Sequence, residues 1–137
     1  MKKLCMLAIL LASASITSTY AGQSNKEHVE PREPTHVQIG KASWYGRWHA
    51  GRLTANGERF NPQAMTCAHR SLPLGSVVRV TNMETGKNVA LEVNDRGPYV
   101  KGRIIDLSEG AARELGVRDK GILLVRLELI SAPGQSG

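Results

Sequence analysis

The distribution of apolar residues divides the chain into a central domain and polar flanks. Apolar positions recur from Val37 almost to the C-terminus, whereas residues 22–36 are polar and charged and include two prolines. A segment so poor in apolar residues cannot bury enough surface to offset the entropy of ordering. We therefore expect a flexible linker at 22–36, one small domain at 37–131 and a disordered tail at 132–137.

Two segments in the middle of the domain have the pattern of a β-hairpin. Residues 76–81 and 89–94 are rich in β-branched residues, and Thr85-Gly86-Lys87 between them supplies turn chemistry. In the second strand one face is predicted to be buried and the other to be wetter. The buried face would hold Val89, Leu91 and Val93, and the wetter face Ala90, Glu92 and Asn94.

The remaining apolar segments predict three more strands and one helix. The strands are expected near 37–44, 103–107 and 122–129. Ser108 is a suitable N-cap for a helix through 111–115, and Gly116 is a suitable terminator. Short strands with one short helix predict a small β-barrel.

Residues 1–21 have the organisation of a secretory signal peptide, with two lysines, an apolar run from Leu4 to Ala12 and small residues up to Ala21. The run is much shorter than the roughly 20 residues that span a bilayer, so no transmembrane segment is expected. Cys5 precedes the apolar run, so no lipid anchor is expected at the cleavage position. These features predict a periplasmic or secreted protein.

Composition narrows the classes of function. The chain carries a formal net charge of +6, and the basic residues are interspersed with acids rather than clustered with aromatics, so nucleic-acid binding is not expected. Only Cys67 follows the signal peptide, which leaves no intramolecular disulfide. His49, Cys67 and His69 lack zinc spacing, and a Cys67–His69 nucleophile pair would need a contact that the spacing does not guarantee. No metal or cofactor is expected.

Three side chains capable of acid–base chemistry occur in loops or at predicted strand ends, namely Glu58, His69 and Asp95. Each has a structural alternative. Asp95 is also placed to accept backbone hydrogen bonds in its turn, and Glu58 is also explained as a solvated turn residue. His69 is also explained by a hydrogen bond across the turn at 72–73. The residues alone leave both interpretations open.

Five motifs resemble the rare lipoprotein A family of septal lytic transglycosylases. They are GKASWYG at 40–46, LTANGE at 53–58, AHRSLP at 68–73, NDRGP at 94–98 and IDLS at 105–108. The resemblance implies a six-stranded double-psi β-barrel with one or two short helices, related to expansins. It also implies peptidoglycan glycan as the substrate, and it places the functional residues at Glu58, His69 and Asp95. Many members carry a lipobox cysteine and a C-terminal glycan-binding domain, so the resemblance leaves septal targeting open.

The reaction that the resemblance implies needs a proton donor at the glycosidic oxygen, and Asp95 is our candidate for that acid and for the base that follows. Glu58 would stabilise positive charge on the sugar or hold it. His69 would orient a carboxylate or bind the sugar, and Arg96 would pair with a carboxylate. An ordinary hydrolase would instead use both acids at a defined separation. A non-catalytic, expansin-like glycan-binding module is the alternative of a different class.

Other motif residues are candidates for contacts with the sugar. Aromatic faces suit the apolar side of a pyranose, although at least one of the motif aromatics is expected to pack in the core. These substrate-binding candidates are Trp44, Tyr45, Thr54, Arg96 and Asp106, with Trp48 as a further aromatic. Asp106 also has a structural interpretation beside the helix cap. We expect a monomer, with divisome proteins or cell-wall amidases as possible partners.

Overall fold

The computed structural model describes residues 33–117 and 119–134 of the 137-residue chain. The predicted signal peptide, most of the predicted linker and the last three residues of the predicted tail lie outside the described residues, and those assignments stay predictions. In the part of the chain that is described, no helix is long and apolar enough to cross a membrane.

Six strands close into a barrel. They are β1 (Val37–Trp44), β2 (Thr66–Ala68), β3 (Val77–Asn82), β4 (Asn88–Asp95), β5 (Arg103–Leu107) and β6 (Ile122–Ser131). Their order around the barrel is β1-β5-β2-β4-β3-β6, and β6 pairs with β1 to close it. The β1–β5 and β2–β4 pairs are parallel, and the other pairs are antiparallel. The predicted small β-barrel is confirmed.

Strands β3 and β4 form the predicted hairpin, with Val77 opposite Glu92 and Thr81 opposite Asn88. The alternation of β4 buries Leu91 and Val93 as expected. The prediction was wrong for Asn94, which is buried rather than wet. The reason is tertiary, because the 54–58 loop lies over this end of β4 and the Asn56 amide donates to the Asn94 carbonyl at 3.2 Å.

Strand β2 is the element that the apolar pattern did not reveal. It has only three residues, too few for an alternation to be recognised. It lies between β4 and β5, where Cys67 is opposite Val93 on one side and Leu107 on the other. Because it pairs with strands on both sides, Cys67 is completely buried.

The α-helix α1 (Glu109–Glu114) begins as predicted, because the Ser108 hydroxyl accepts the Ala111 amide at 3.2 Å. Gly116 follows the helix with φ +72°, a conformation that favours glycine. A short 3-10 helix occupies Arg47–His49 after β1. The helix α1 packs against the barrel core through Ala111 and Ala112, which are fully buried.

Candidate active site

A tight loop carries the TANGE motif to one end of the barrel. Leu53 and Arg59 form an isolated antiparallel bridge, and the Thr54 amide donates to the Glu58 carbonyl at 2.8 Å. Gly57 has φ +87°, which lets the chain reverse between them. The buried Thr54 hydroxyl lies 2.5 Å from Asn56 Oδ1 and 3.1 Å from the Glu58 carbonyl. The loop is therefore held by its own side chains.

Asp95, the last residue of β4, is joined directly to this loop. Its Oδ1 accepts the Ala55 amide at 3.0 Å and the Arg96 amide at 2.8 Å. Within the described residues no hydrogen bond or ion pair engages Oδ2. Two backbone donors thus fix the orientation of the carboxylate through one oxygen and leave the other available for a ligand.

A polar cavity of about 290 Å³ opens beside Asp95. Its wall is formed by Tyr45, His49, Arg52, Leu53, Thr54, Phe60 and Asp95. The Tyr45 ring lies 4.7 Å from the Phe60 ring and 5.4 Å from the His49 ring, measured between centroids. Three of the predicted site residues, Tyr45, Thr54 and Asp95, are therefore brought together around one space.

Two buried polar atoms of this wall, the Tyr45 hydroxyl and His49 Nδ1, have no hydrogen-bond partner among the residues that the structure describes. Burial raises the pKa of Tyr45, and the nearby Asp95 charge raises it further. The phenol therefore stays protonated and is a neutral hydrogen-bond donor. A buried donor without a partner is costly, and such groups commonly mark a place that a ligand or water completes.

Glu58 is joined to Asp95 through the backbone of the loop and not through its carboxylate. Its side chain is exposed and is not part of the cavity wall. Among the residues that the structure describes, its carboxylate makes no hydrogen bond or ion pair. A role for Glu58 in stabilising the sugar stays a prediction, and it would require the sugar to extend out of the cavity toward this loop.

His69 is buried, and both of its ring nitrogens are engaged. Nδ1 accepts the amides of Ser71 at 3.2 Å and Leu72 at 3.1 Å, and Nε2 donates to Gln38 Oε1 at 3.1 Å. Burial, followed by the nearby charges of His36, Arg70 and Arg96, lowers the pKa of His69 to about 4. This geometry supports the structural interpretation, in which a neutral His69 holds the 69–72 turn. A catalytic role for this residue stays a prediction.

Arg96 stabilises the same turn from the other side. Its guanidinium donates to the carbonyls of His69 at 3.1 Å and Leu72 at 2.7 Å. The His69 amide in turn donates to the Asp95 carbonyl at 3.1 Å. Arg96 therefore supports the backbone behind Asp95, and its predicted contact with substrate stays a prediction.

Asp106 lies on β5, which is separated from the Asp95 strand β4 by β2. Residue Ala68 of β2 pairs with Asp95 on β4 and with Asp106 on β5, so the two acids flank one residue. The Ser43 hydroxyl donates to Asp106 Oδ1, and the Arg103 guanidinium lies 3.9 Å from the same oxygen. The charge of Asp106 also contributes to raising the pKa of Tyr45, after burial, Asp95 and Cys67. Asp106 thus belongs to the electrostatic surroundings of the site.

Cys67 is not placed to be a nucleophile. It is completely buried in β2, and burial and then Glu92 raise the pKa of its thiol. The reactive thiolate is therefore disfavoured. In residues 33–117 and 119–134, no group of three or more histidine, cysteine, aspartate or glutamate side chains is arranged to hold a metal ion.

A second, more apolar cavity of about 400 Å³ is lined by Trp44, Gly46, Arg47, Trp48 and Glu109. Trp44 packs partly against the core, as expected for at least one motif aromatic, whereas Trp48 is 84 % exposed. The buried Glu109 carboxylate lies 3.5 Å from the Arg47 guanidinium and 3.6 Å from that of Arg113. Trp48 thus offers an open aromatic face beside fixed charges.

Residues 37–127, which include the whole polar cavity, match the family model described as lytic transglycolase. The chain belongs to the RlpA-like lytic transglycolase family. The match begins at the first residue of β1 and ends within β6, so the family's conserved unit corresponds to the barrel.

Two relatives and one solved structure illustrate the likeness. A "probable endolytic peptidoglycan transglycosylase RlpA" of Nostoc is 59 % identical over 93 residues, covering 66 % of this chain and 25 % of the relative. The "endolytic peptidoglycan transglycosylase RlpA" of Neisseria meningitidis is 46 % identical over 127 residues, covering 93 % and 52 %. This RlpA-like chain therefore spans about half or less of the length of these relatives.

The crystal structure of an apo expansin of Clavibacter michiganensis superposes with a TM-score of 0.57 at 25 % identity, covering 72 % of this chain and 52 % of that one. This likeness concerns the fold. Together with the closed six-stranded sheet and the short helices, it confirms the double-psi β-barrel that the motifs implied.

Sequence reasoning missed three residues of the RlpA-like cavity: Arg52 and Phe60 were not singled out, and His49 was considered only as a metal ligand. Arg52 and Phe60 pair through the backbone, with the Phe60 amide donating to the Arg52 carbonyl at 2.7 Å. The sequence did hold one signal for this pair. Arg52 and Phe60 lie two residues before and two residues after the 54–58 loop, and residues at equal distances from a tight loop can pair across it.

Proposed function

We propose that this protein is an endolytic peptidoglycan lytic transglycosylase. It cleaves the β-1,4 bond between N-acetylmuramic acid and N-acetylglucosamine and leaves 1,6-anhydromuramic ends. The observation that carries the proposal is the Asp95 carboxylate, which is oriented by two backbone amides and lines a cavity with its other oxygen unengaged. The printed names of the Nostoc and Neisseria relatives support the same activity.

In the proposed reaction Asp95 acts first as an acid and then as a base. Its protonated carboxyl gives the proton to the glycosidic oxygen as the bond to the anomeric carbon breaks, and the N-acetylglucosamine part leaves as an alcohol. The resulting carboxylate faces the oxocarbenium-like carbon and stabilises its charge. It then takes the proton of the muramic 6-hydroxyl as that oxygen bonds to the anomeric carbon, which closes the anhydro ring and restores the acid.

The rest of the cavity suits this chemistry. Asp106 beside the catalytic turn adds negative potential where positive charge develops, and Glu58 at the rim would add more once a strand is bound. Tyr45 and Thr54 supply hydroxyl groups to the wall. Arg96 and His69 act as positioning residues, because they hold the turn whose backbone is bonded to Asp95.

The cellular setting is part of the proposal. The relatives' names refer to peptidoglycan, which supports an extracytoplasmic protein, and the expected signal peptide would direct it to the periplasm or the exterior. Glycan strands poor in stem peptides are the proposed substrate. Divisome proteins or cell-wall amidases are the proposed partners of a monomeric enzyme.

The test is a product analysis with the mature protein. Purified sacculi and denuded strands are incubated with the protein, and soluble products are identified by mass spectrometry. We expect anhydromuramic ends from the wild type and none from Asp95→Asn. The matched control, Asp119→Asn at an exposed position, should still produce them. Reducing ends would contradict the proposal in favour of a hydrolase.

One observation favours a second candidate, a non-catalytic glycan-binding module. The exposed Trp48 beside the apolar cavity provides an aromatic platform, and the fold is shared with an expansin. Retention of the protein on sacculi without release of any soluble fragment, unchanged in Asp95→Asn, would support this module and refute the enzyme.

A further inference from the structure

The polar cavity contains two opposite charges that are not paired with each other. Arg52 and Asp95 both line it, yet no ion pair joins them. Within the described part of the chain, the Arg52 guanidinium makes no hydrogen bond or ion pair at all. The cavity wall therefore includes an exposed cationic residue as well as an acid.

Backbone hydrogen bonds fix the main chain of Arg52 in the cavity wall, while its side chain is exposed. Its amide donates to the His49 carbonyl at 3.1 Å, and its carbonyl accepts the Phe60 amide at 2.7 Å. The Tyr45 hydroxyl of the same wall is a second donor, buried and without a partner within residues 33–117 and 119–134. An arginine and a neutral hydroxyl in one cavity form a pair of donors suited to an oxyanion.

The proposed substrate contains one such group on the sugar that reacts. N-acetylmuramic acid carries a lactyl ether at its third carbon, whereas N-acetylglucosamine does not. When the stem peptide has been removed, the lactyl group ends in a free carboxylate. When the peptide is present, the same carbon belongs to a neutral amide. A cation close to the cleavage site can therefore distinguish the two kinds of strand.

We propose that Arg52, with the Tyr45 hydroxyl as a second donor, binds the free lactyl carboxylate of the muramoyl residue in the Asp95 cavity and thereby selects strands that lack stem peptides. This inference rests on the proposed function, and it assigns the choice of strand to the barrel itself. The first step of the proposed reaction requires the acid form of Asp95, and in that form the lactyl carboxylate would not face a second negative charge.

The experiment uses two matched substrates. Denuded glycan strands are compared with the same strands after carbodiimide coupling of methylamine, which converts each lactyl carboxylate into a neutral methylamide. The mature wild-type protein is expected to cleave the acid strands with a kcat/KM about 10- to 100-fold higher, the range of a charge-assisted hydrogen bond. Equal rates on the two substrates would overturn the proposal.

Variants assign the preference to Arg52. Arg52→Gln is expected to lower kcat/KM on acid strands by about the same 10- to 100-fold and to change it little on methylamide strands. Arg52→Lys should retain part of the preference, because a point charge replaces the bidentate fork. Tyr45→Phe should weaken cleavage of both substrates, since a methylamide carbonyl still accepts its hydrogen bond.

A matched control separates local recognition from attraction of a polyanion. Arg79→Gln removes the same charge from an exposed position on β3 outside the cavity wall, and it is expected to leave the preference unchanged. Two outcomes would refute the assignment. One is an equal loss of preference in Arg79→Gln and Arg52→Gln. The other is that Arg52→Gln lowers the activity on both substrates equally.

Binding distinguishes failure of this inference from failure of the proposed function. Calorimetry with the Asp95→Asn protein measures the affinity for acid and methylamide strands without cleavage. If wild type produces no anhydromuramic ends but Asp95→Asn still prefers acid strands through Arg52, the proposed reaction is wrong and the carboxylate site stands. If cleavage occurs without any preference in rate or affinity, the reaction stands and the carboxylate site is wrong.

Discussion

The segment 44–49 contributes to both cavities of this barrel through different residues, and the two cavities differ in character. The polar one contains Asp95, Arg52 and the unpartnered hydroxyl of Tyr45, whereas the apolar one is dominated by Trp44 and the exposed Trp48. The buried acid of the apolar cavity, Glu109, forms ion pairs with Arg47 and Arg113. Under the proposed function, the polar cavity would hold the reactive groups and the apolar cavity would present an aromatic surface to a sugar ring.

The two acids of these cavities make the comparison concrete. Asp95 is oriented by backbone amides through one oxygen, so its other oxygen is available to a ligand. Glu109 is nearly completely buried between two guanidinium groups, which is the environment of a structural ion pair. Burial of an acid therefore does not by itself mark the catalytic position, and the partners of the acid decide it.

The largest expected effect comes from removing the acid of the polar cavity. Asp95→Asn should lower kcat by about 10²- to 10⁴-fold, because an amide cannot transfer the proton. Glu58→Gln should cost much less, since the Glu58 side chain lies outside the cavity wall. Release of anhydromuramic ends from denuded strands, measured at saturating substrate, gives both values. A Glu58→Gln loss equal to that of Asp95→Asn would move Glu58 into the reacting centre.

Acid is expected to destabilise the support of the polar cavity through His69. Its pKa is about 4 when folded and near 6.5 in the unfolded chain, so between these values the unfolded chain holds the proton. The free energy of unfolding should therefore fall as the pH drops from about 6.5 to about 4, by about 3 kcal/mol, and His69 should cause no further loss below that.

Urea unfolding across this pH range measures the effect. In His69→Gln the part of the pH dependence of the free energy of unfolding that comes from His69 should vanish, while the part that comes from acids elsewhere should remain. His36→Gln is a graded comparison, because the charge of His36 contributes to lowering the pKa of His69 and its ring lies edge-on 6.4 Å away. Its removal should reduce this pH dependence without abolishing it. A pH dependence that is identical in wild type and His69→Gln would show that the turn does not depend on a neutral imidazole.

Tyr45→Phe should separate function from stability in the polar cavity. The buried hydroxyl has no partner, so its removal should leave the free energy of unfolding unchanged or raise it by about 1 kcal/mol. The same change should lower kcat/KM by up to about 10-fold, because a hydrogen bond to the substrate is lost. Tyr99→Phe, at a residue that is 76 % exposed, should alter neither quantity. Loss of stability in Tyr45→Phe would mean that the hydroxyl serves the fold.

These differences also explain what could be predicted from the sequence. The hairpin β3–β4 and the cap at Ser108 follow from local alternation and capping, which neighbouring residues determine. Strand β2 is too short for its three residues to show a pattern of their own. It is a strand because it pairs with β4 and β5, which are distant in sequence. Asn94 is buried for the same kind of reason, since a distant loop covers it.

The candidate site shows the same limit. Motifs pointed to Asp95 and to the loop of Glu58, and the structure joins the two through backbone hydrogen bonds. Arg52 carried no motif signal of its own, because its importance lies in sharing a cavity with Asp95. His69 is the opposite case, because a motif pointed to it. Whether it supports the turn or reacts could not be read from the motif, and the contacts of its ring nitrogens favour the supporting role.

The smallest expected effect concerns the apolar cavity. Trp48→Ala should raise KM for glycan strands by about 2- to 10-fold and leave kcat nearly unchanged, because stacking on the exposed ring contributes to binding in the ground state and the transition state alike. Tyr99→Ala, which removes another exposed aromatic ring outside both cavity walls, is the control and should change neither constant. A fall in kcat with unchanged KM would refute these separate roles for the two cavities, since Trp48 would then affect the reacting bond rather than binding.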